Sequence, residues 1–393
     1  EVIIEKRNIV RFNGVEILNL DLEFTTGGPV YNRPYNLPDY DTGPAVPLPE
    51  YPADLGETIL DLVSHPEVAS KDWVIRQYDH EVRGKTALKP IQGPIGKDVP
   101  GDSSVLKPVD DSWKGLALTT DVNPYLMEVN PYHGTMSAVE EVCRNLAAVG
   151  ARIDSLADCL CFGNPRKPDI MGQFKASCEA LRDAAVAVDV PYVSGNVSLY
   201  NETADGAIPP TPVLMGVGLV EDIRNCTTSD MKKDGSIWLI GKTKEEMGAS
   251  LYYRSIGKDC PNIPKTDFDS FIPRMEQLIQ AIEQGEVVAC HDISTGGIAT
   301  AVIEMCMSGV GANIGLGEDM RADVELFSES NGRWIVQVAN GKEKGFARRF
   351  DYATRIGEVG KNIAFSKDND VIAEFEIDEL RSAWTKPVWD RLA

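Results

Sequence analysis

The chain is read from its sequence as an α/β protein, grading into α+β, with more than one domain. Three observations predict this. Apolar strand-like runs alternate with long segments of helical periodicity, first over residues 114–220 and again from 237 onward. The length of 393 residues exceeds that of one ordinary domain. Hydrophobic residues make up 43% of the chain, enough for sizeable cores.

At the N-terminus, Asn13-Gly14 between Ile9-Val10-Arg11-Phe12 and Val15-Glu16-Ile17-Leu18 predicts a hairpin. Such a hairpin needs a larger partner, so residues 1–24 are expected to be the tail of a preceding domain. The first residue is Glu and the chain opens inside strand-like sequence, so it is expected to be part of a longer protein. Seven prolines between Gly27 and Gly56 predict an extended connector crossing a surface.

A first complete domain is expected from about Lys71. Lys114 to Asp121 reads as a strand ending at an acid. Met136, Val139, Val142, Leu146 and Val149 then recur at helical spacing, and Gly150 supplies a stop. A strand from Ile153 to about Phe162 follows, then a helix carrying Ile170, Phe174, Cys178, Leu181, Ala185 and Val188. A buried strand leading into a Gly195 turn and another from Val213 to Val220 complete the layer. A second domain is expected from about Asp234. It has a strand over Ile237 to Gly241, a helix from about Ser270 to Glu283, and a strand over Val287 to Cys290. A turn over His291 to Gly297, a helix to about Met307 and a strand from Trp334 to Val338 complete it.

Composition removes several function classes. The formal charge of −21 argues against a broad nucleic-acid or anionic-membrane surface. Phosphate binding would then be local, through backbone N–H groups, helix N-termini and metal ions. The eight cysteines form no Cys-x-x-Cys pair and there are four histidines, so a zinc site is not expected. Cys159 and Cys161 would share one buried strand face. The pattern fits reduced thiols in a cytoplasmic protein, and no stretch has the length of a membrane span.

Four constellations could carry chemistry. Thr120-Asp121-Val122-Asn123-Pro124 places an acid at a strand end, with an Asx-turn as its plain alternative. Asp158 to Pro165 flanks a strand with an acid and ends it in Gly-Asn-Pro; Asp158 could share a metal with Asp121 and Asn196. Ser194 to Glu202 offers a glycine, amides, hydroxyls and a carboxylate within nine residues, suited to phosphate and Mg²⁺. His291 to Gly297 is a strand-turn-helix whose glycines suit a phosphate, although glycines at helix starts are common. His291 and His133 both have structural readings, and Phe327 to Arg333 reads as a binding loop or a hairpin.

In this order and spacing, the motifs closely resemble those of the small-type phosphoribosylformylglycinamidine synthase family. The resemblance runs through Asp121-Val122-Asn123-Pro124, Pro131-Tyr132-His133-Gly134, Arg144-Asn145, Cys161 to Pro165, Ser194 to Glu202, Pro210-Thr211-Pro212 and His291 to Gly297. It covers essentially the whole chain, but only the C-terminal half of the family's protein. It implies tandem A and B domains of the aminoimidazole-ribonucleotide-synthetase (PurM-like) superfamily. Residues 1–24 would be the tail of a B-type domain, 25–70 a Pro-rich connector, 71–228 an A domain and 229–393 a B domain. It further implies an ATP- and Mg²⁺-dependent ligase of purine biosynthesis. ATP activates the formylglycinamide oxygen of formylglycinamide ribonucleotide, and ammonia displaces the phosphate to give the amidine.

Carried over by motif, Asp158 and Gly195 resemble ATP-binding positions, Asn196 a Mg²⁺ ligand and Ser198 a substrate contact. Asp121 resembles a metal acid, and Asp292 and Glu329 resemble second-copy metal and substrate positions of lesser weight. The family's catalytic histidines have no counterpart here, since Asn123-Pro124 stands in that slot; no catalytic residue is expected in this half. The implied partners are a missing N-terminal half, a separate glutaminase subunit and a small bridging subunit. Two other readings remain open: a non-catalytic half holding a structural nucleotide, and another PurM-like enzyme such as an aminoimidazole-ribonucleotide or selenophosphate synthetase.

Overall fold

A computed structural model describes residues 6–41 and 43–392. Its centre is two mixed sheets. The first has six strands in the order Thr86–Leu88, Ser104–Leu106, Gly115–Asp121, Thr211–Val220, Arg152–Cys161, Tyr192–Ser198. Its last two strands run parallel, and the others pair antiparallel. The second has seven, in the order Val287–Asp292, Trp334–Val338, Ser236–Ile240, Ala353–Gly360, Gly311–Gly315, Ile363–Lys367, Asp370–Phe375.

Helices Pro131–Ala148 and Pro168–Val188 cover one face of the six-stranded sheet. The first begins with an Asn130 cap that accepts from the His133 N–H, with Pro131 at the first helical position, and ends before Gly150 at φ +85°. It lies so close to strand Thr211–Val220 that a Cβ on Gly216 would fall 2.3 Å from Val142. Along that strand the even positions are buried under the helix, while Val213, Met215 and Val217 are half-buried on the other face. That other face includes Thr120, Cys159 and Cys161, and on it Thr120 and Met215 line a pocket with Val82 and Arg83. The two cysteines share a face as expected, with sulfurs 3.8 Å apart, but it is the half-exposed face rather than a buried one.

The two domains share a core. Helix Pro131–Ala148 packs against helix Phe268–Glu283 and strands of the second sheet, burying Val139, Leu146, Leu278, Ile282 and Trp334 together. The Trp334 indole donates to the Arg144 carbonyl at 3.1 Å. A second core gathers the far side of the seven-stranded sheet.

Strand Tyr192–Ser198 departs from its expected form. The sequence reads as a buried strand that turns at Gly195. In the structure Gly195 and Asn196 are extended, paired with Asp158 and Cys159, and the strand is an exposed sheet edge. His291 and Asp292 likewise finish strand Val287–Asp292 instead of opening a turn. The hairpin Arg7–Phe12 with Val15–Asp21 forms around Asn13-Gly14, both at positive φ; residues 1–5 of the expected tail lie outside the described residues. The connector crosses the first domain as expected. Asn36 packs its carbonyl where a Cβ on Gly172 would sit, Tyr40 stacks on Tyr132 at 4.6 Å, and the Tyr40 carbonyl meets His133 Nε2 at 2.9 Å. Its end is not extended: Leu55–Ser64 is a helix capped by Asp54, and Leu55, Ile59, Leu62 and Val63 join the second domain's core.

Candidate functional site

The site residues expected from sequence fall into two places. The first is the exposed edge of the six-stranded sheet. Asp158 and Gly195 stand opposite each other in register, and a Cβ on Gly195 would lie 3.0 Å from both Asp158 carboxylate oxygens. Glycine is required there by close approach, not by a turn. Burial raises the Asp158 pKa, and a hydrogen bond from the Asn196 backbone pulls the other way. The Asn196 side chain, one residue on, lies on the opposite face and donates to Cys159 Sγ at 3.4 Å. Beyond it the Ser198 hydroxyl meets Asn201 Oδ1 at 3.3 Å, and Asn201 Nδ2 donates to the Phe162 carbonyl at 3.0 Å. Tyr200, at φ +65°, donates its N–H to Gly163. Two separate sequence motifs, 158–165 and 194–202, thereby fold into one corner, closed by Lys167 against Glu202 at 2.9 Å.

The second place is the seam between the domains, a cleft of about 350 Å³. Asp121 ends its strand there, with Asn145 Nδ2 donating to it at 3.4 Å. Asp292 arrives from the second sheet and accepts from Arg144 Nε at 3.1 Å. Arg144 also pairs with Glu140 and, at 3.4 Å, with Glu141. Asp102 joins from the loop before strand Ser104–Leu106, meeting His291 Nδ1 at 2.8 Å and accepting from the Asp292 N–H at 3.1 Å. His291 Nε2 faces Glu304 at 3.2 Å.

The electrostatics of this cleft are crowded. Burial, then the neighbouring Asp292, raises the Asp121 pKa to about 7. Glu141 is pushed well up by burial and by Asp121, and Asp292 rises through burial despite Arg144. His291 is driven down by burial, but Asp102 and Glu304 outweigh that and hold it protonated well above its ordinary range.

Asp121, Leu214, Asp158 and Gly195 make one row across four strands. Asp121 and Asp158 are therefore about 10 Å apart at Cα, given the usual strand spacing, with buried Leu214 between them. Asn196 points from the other face. The register does not bring the three together around a single ion. At the seam the side chains whose ligand atoms converge closely enough for one cation are Asp102, His291 and Asp292, while Asp121, Glu141 and Asn145 add hard oxygen donors of the kind Mg²⁺ accepts in the same cleft. Asn196 supplies one amide oxygen at the edge, so a cation there would need ligands from phosphate or from another chain segment.

Glu329 is held inside the second domain. Its Oε1 accepts from the Leu251 and Gly296 N–H groups, each at 2.8 Å, at the starts of helices Leu251–Ser255 and Gly297–Cys306. Burial raises its pKa to about 7. Sequence reasoning missed Asp102, Glu141 and Glu304. Asp102 meets its partner 189 positions away, while Glu141 and Glu304 sit on helices as single acids that no local motif sets apart.

Residues 100–220 match the family model for the AIR synthase related protein N-terminal domain, and residues 230–365 that for its C-terminal domain. The phosphoribosylformylglycinamidine synthase subunit PurL of Methanothrix thermoacetophila is 38% identical over 402 residues, covering 96% of this chain and 50% of the relative. That of Thermoplasma acidophilum is 34% identical over 391 residues, covering 98% and 51%. The chain spans about half the length of the curated relatives it matches. In fold, it resembles T. maritima PurL complexed with FGAR, with a TM-score of 0.66 at 18% identity over 83% of this chain and 53% of that one. T. maritima PurL complexed with ATP gives a TM-score of 0.57 at 19% identity, over 92% and 50%.

Proposed function

The chain belongs to the AIR synthase related protein family, and from that we infer that it is the C-terminal half of a phosphoribosylformylglycinamidine synthase. In this reading it supplies part of the site at which ATP, formylglycinamide ribonucleotide and ammonia become formylglycinamidine ribonucleotide, ADP and phosphate. The observation that carries it is the exposed sheet edge, where Gly195, Asn196 and Ser198 of the edge strand pair beside Asp158 of the neighbouring strand. With Val193 to Val197 of that edge exposed, the site is one that another segment can complete.

Each residue then has a physical task. Gly195 leaves the edge open so that a nucleotide can approach the strand, and the Asp158 carboxylate behind it accepts from ligand hydroxyl or amino groups. The Asn196 side chain turns from Cys159 to offer its oxygen to a Mg²⁺ ion shared with phosphate oxygens. When bound, Mg²⁺ offsets the triphosphate charge during phosphoryl transfer. The Ser198 hydroxyl, held by Asn201, contacts the second substrate. No residue of this half acts as the acid or base, Asn123-Pro124 occupying the slot of the family's histidines, and the chain alone does not turn over. The missing N-terminal half, a glutaminase subunit that releases ammonia and a small bridging subunit complete the assembly. Its setting is the cytoplasm; no helix of the described residues is long and apolar enough to cross a membrane.

A second reading draws on the seam cleft. Asp121, Glu141, Asn145 and Asp292 all come from this chain, which favours a structural nucleotide·Mg²⁺ held there without turnover. Calorimetric titration of ATP with and without Mg²⁺ separates the two. Binding lost in Asn196→Ala supports the edge site; binding kept there but lost in Asp292→Asn supports the seam. No binding to any form means that the nucleotide site needs the other half.

A further inference from the structure

Where the second domain meets helix Pro131–Ala148 lies a pocket of about 430 Å³ lined by Lys242, Lys244, Lys265, Arg274, Asn331 and Tyr352, and neither Asn196 of the edge nor Asp121 or Asp292 of the seam lines it. Four basic side chains converge there in a chain whose formal charge is −21, so the cluster is not a reflection of composition. Two acids also line it, and both are engaged. Asp267 accepts from the Ser270 N–H and hydroxyl as the cap of helix Phe268–Glu283, and Glu140 is tied to Arg144 through Oε2, its Oε1 being buried without a partner.

The cations are less well partnered. Lys244 meets Glu246 at 3.6 Å and Lys265 meets Asp41 at 3.9 Å, both loose. Among the described residues Lys242 makes no ion pair. Arg274 is the built part of the site. Its guanidinium lies 4.4 Å over the Tyr352 ring, and its Nη1 donates to the Gly332 carbonyl at 2.7 Å. Its Nε is buried without a partner, a costly state for a donor on a charged group. Two glycines at positive φ frame it: a Cβ on Gly241 would lie 3.3 Å from Nη1 and one on Gly332 3.0 Å. The walls are thus shaped to hold a planar guanidinium at one end of a cavity whose rim carries three lysines.

We propose that this pocket binds a phosphate group, either free or as the monoester of a sugar or nucleotide. Arg274 contributes directed N–H donors, the geometry in which guanidinium meets phosphate, and the lysines add mobile point charges. The volume falls within the range of small-molecule sites and exceeds what a lone phosphate needs.

The test is calorimetric titration of the full chain with inorganic phosphate, ribose 5-phosphate and AMP, all without Mg²⁺. Wild type is compared with Lys242→Gln, Lys265→Gln and Arg274→Gln. Binding of any of the three, weakened about tenfold or more by each substitution, supports the site, and the tightest probe identifies the source of the phosphate. Lys242 and Lys265 are partly exposed, so their variants keep the test valid should Arg274→Gln fold poorly. Retention of binding in Asn196→Ala and Asp292→Asn separates this pocket from both nucleotide readings. No phosphate binding to wild type, or binding unchanged in the lysine variants, overturns the proposal.

Discussion

Gly195 and Asp158 face each other across a parallel strand pair so closely that any side chain at 195 would press on the carboxylate. The methyl of alanine would sit 3.0 Å from both oxygens, tighter than ordinary contact, and the rotation that relieves it would move Asp158 away from the Asn196 N–H. Gly195→Ala is therefore expected to weaken Mg·ATP binding at least tenfold in the assembled enzyme, while the melting temperature changes little because the strand is an exposed edge. Paired titration and thermal scans check this. A variant that binds ATP normally would remove Gly195 from the nucleotide site.

That same pair shows what the sequence could and could not convey. Long helices announced themselves: Val139, Val142 and Leu146 repeat at the spacing of one buried face, and Gly150 marks the end. Strand Trp334–Val338 was legible as a short apolar run. Gly195-Asn196 was not legible as strand, because the pair has turn chemistry and only the partner Arg152–Cys161 holds it extended. Leu55–Ser64 carried an Asp54 cap and an Ile59, Leu62, Val63 face, but the prolines before it masked the signal. The site divides the same way. Asp158, Asn196 and Ser198 sit in contiguous motifs, whereas the seam depends on Asp102 meeting His291 across 189 positions, a relation no local pattern encodes.

Arg144 pairs at once with Glu140, Glu141 and Asp292, and it is 1% exposed. Removing it leaves buried Glu140 without a cation and Asp292 with only His291, at 3.9 Å. Arg144→Met should lower stability by about 3–5 kcal/mol, the usual cost of breaking a buried pair from one side. Arg144→Lys should recover only part of this, since one ammonium cannot serve three acids in that fan. Urea denaturation at neutral pH measures both; equal midpoints for wild type and Arg144→Met would contradict the network's role.

Stability should also fall as pH rises. Asp121 and Glu329 each have folded pKa values near 7, above the ordinary carboxyl range, so the folded state holds protons that the unfolded chain has released. Their stabilising contribution is complete below about pH 4 and is lost as pH climbs through 7. The raised His291 acts in the same direction at higher pH. Between pH 5 and pH 8 the expected loss is on the order of 5 kcal/mol for the two carboxyls without divalent cation. Mg²⁺ at millimolar concentration should restore part of it at pH 8 in wild type and none in Asp121→Asn, because the seam carboxylates can hold the ion and Glu329 cannot. Denaturation midpoints across that range, with and without Mg²⁺, decide the matter.

Glu329 separates a ligand role from a structural one. Its Oε1 takes two N–H groups that begin different helices, so the carboxyl joins the turn before strand Trp334–Val338 to both helix starts. Truncation to alanine would leave both donors buried and unpaired, at a cost of about 2–4 kcal/mol for the two. Glu329→Gln keeps an oxygen in place and loses only the charge, which burial already disfavours at neutral pH. The glutamine variant should therefore unfold close to wild type, the alanine variant well below it, and neither should change Mg·ATP affinity while folded. If Glu329→Gln instead abolished Mg²⁺-dependent binding at unchanged stability, the residue would be a ligand contact and the capping account would fail.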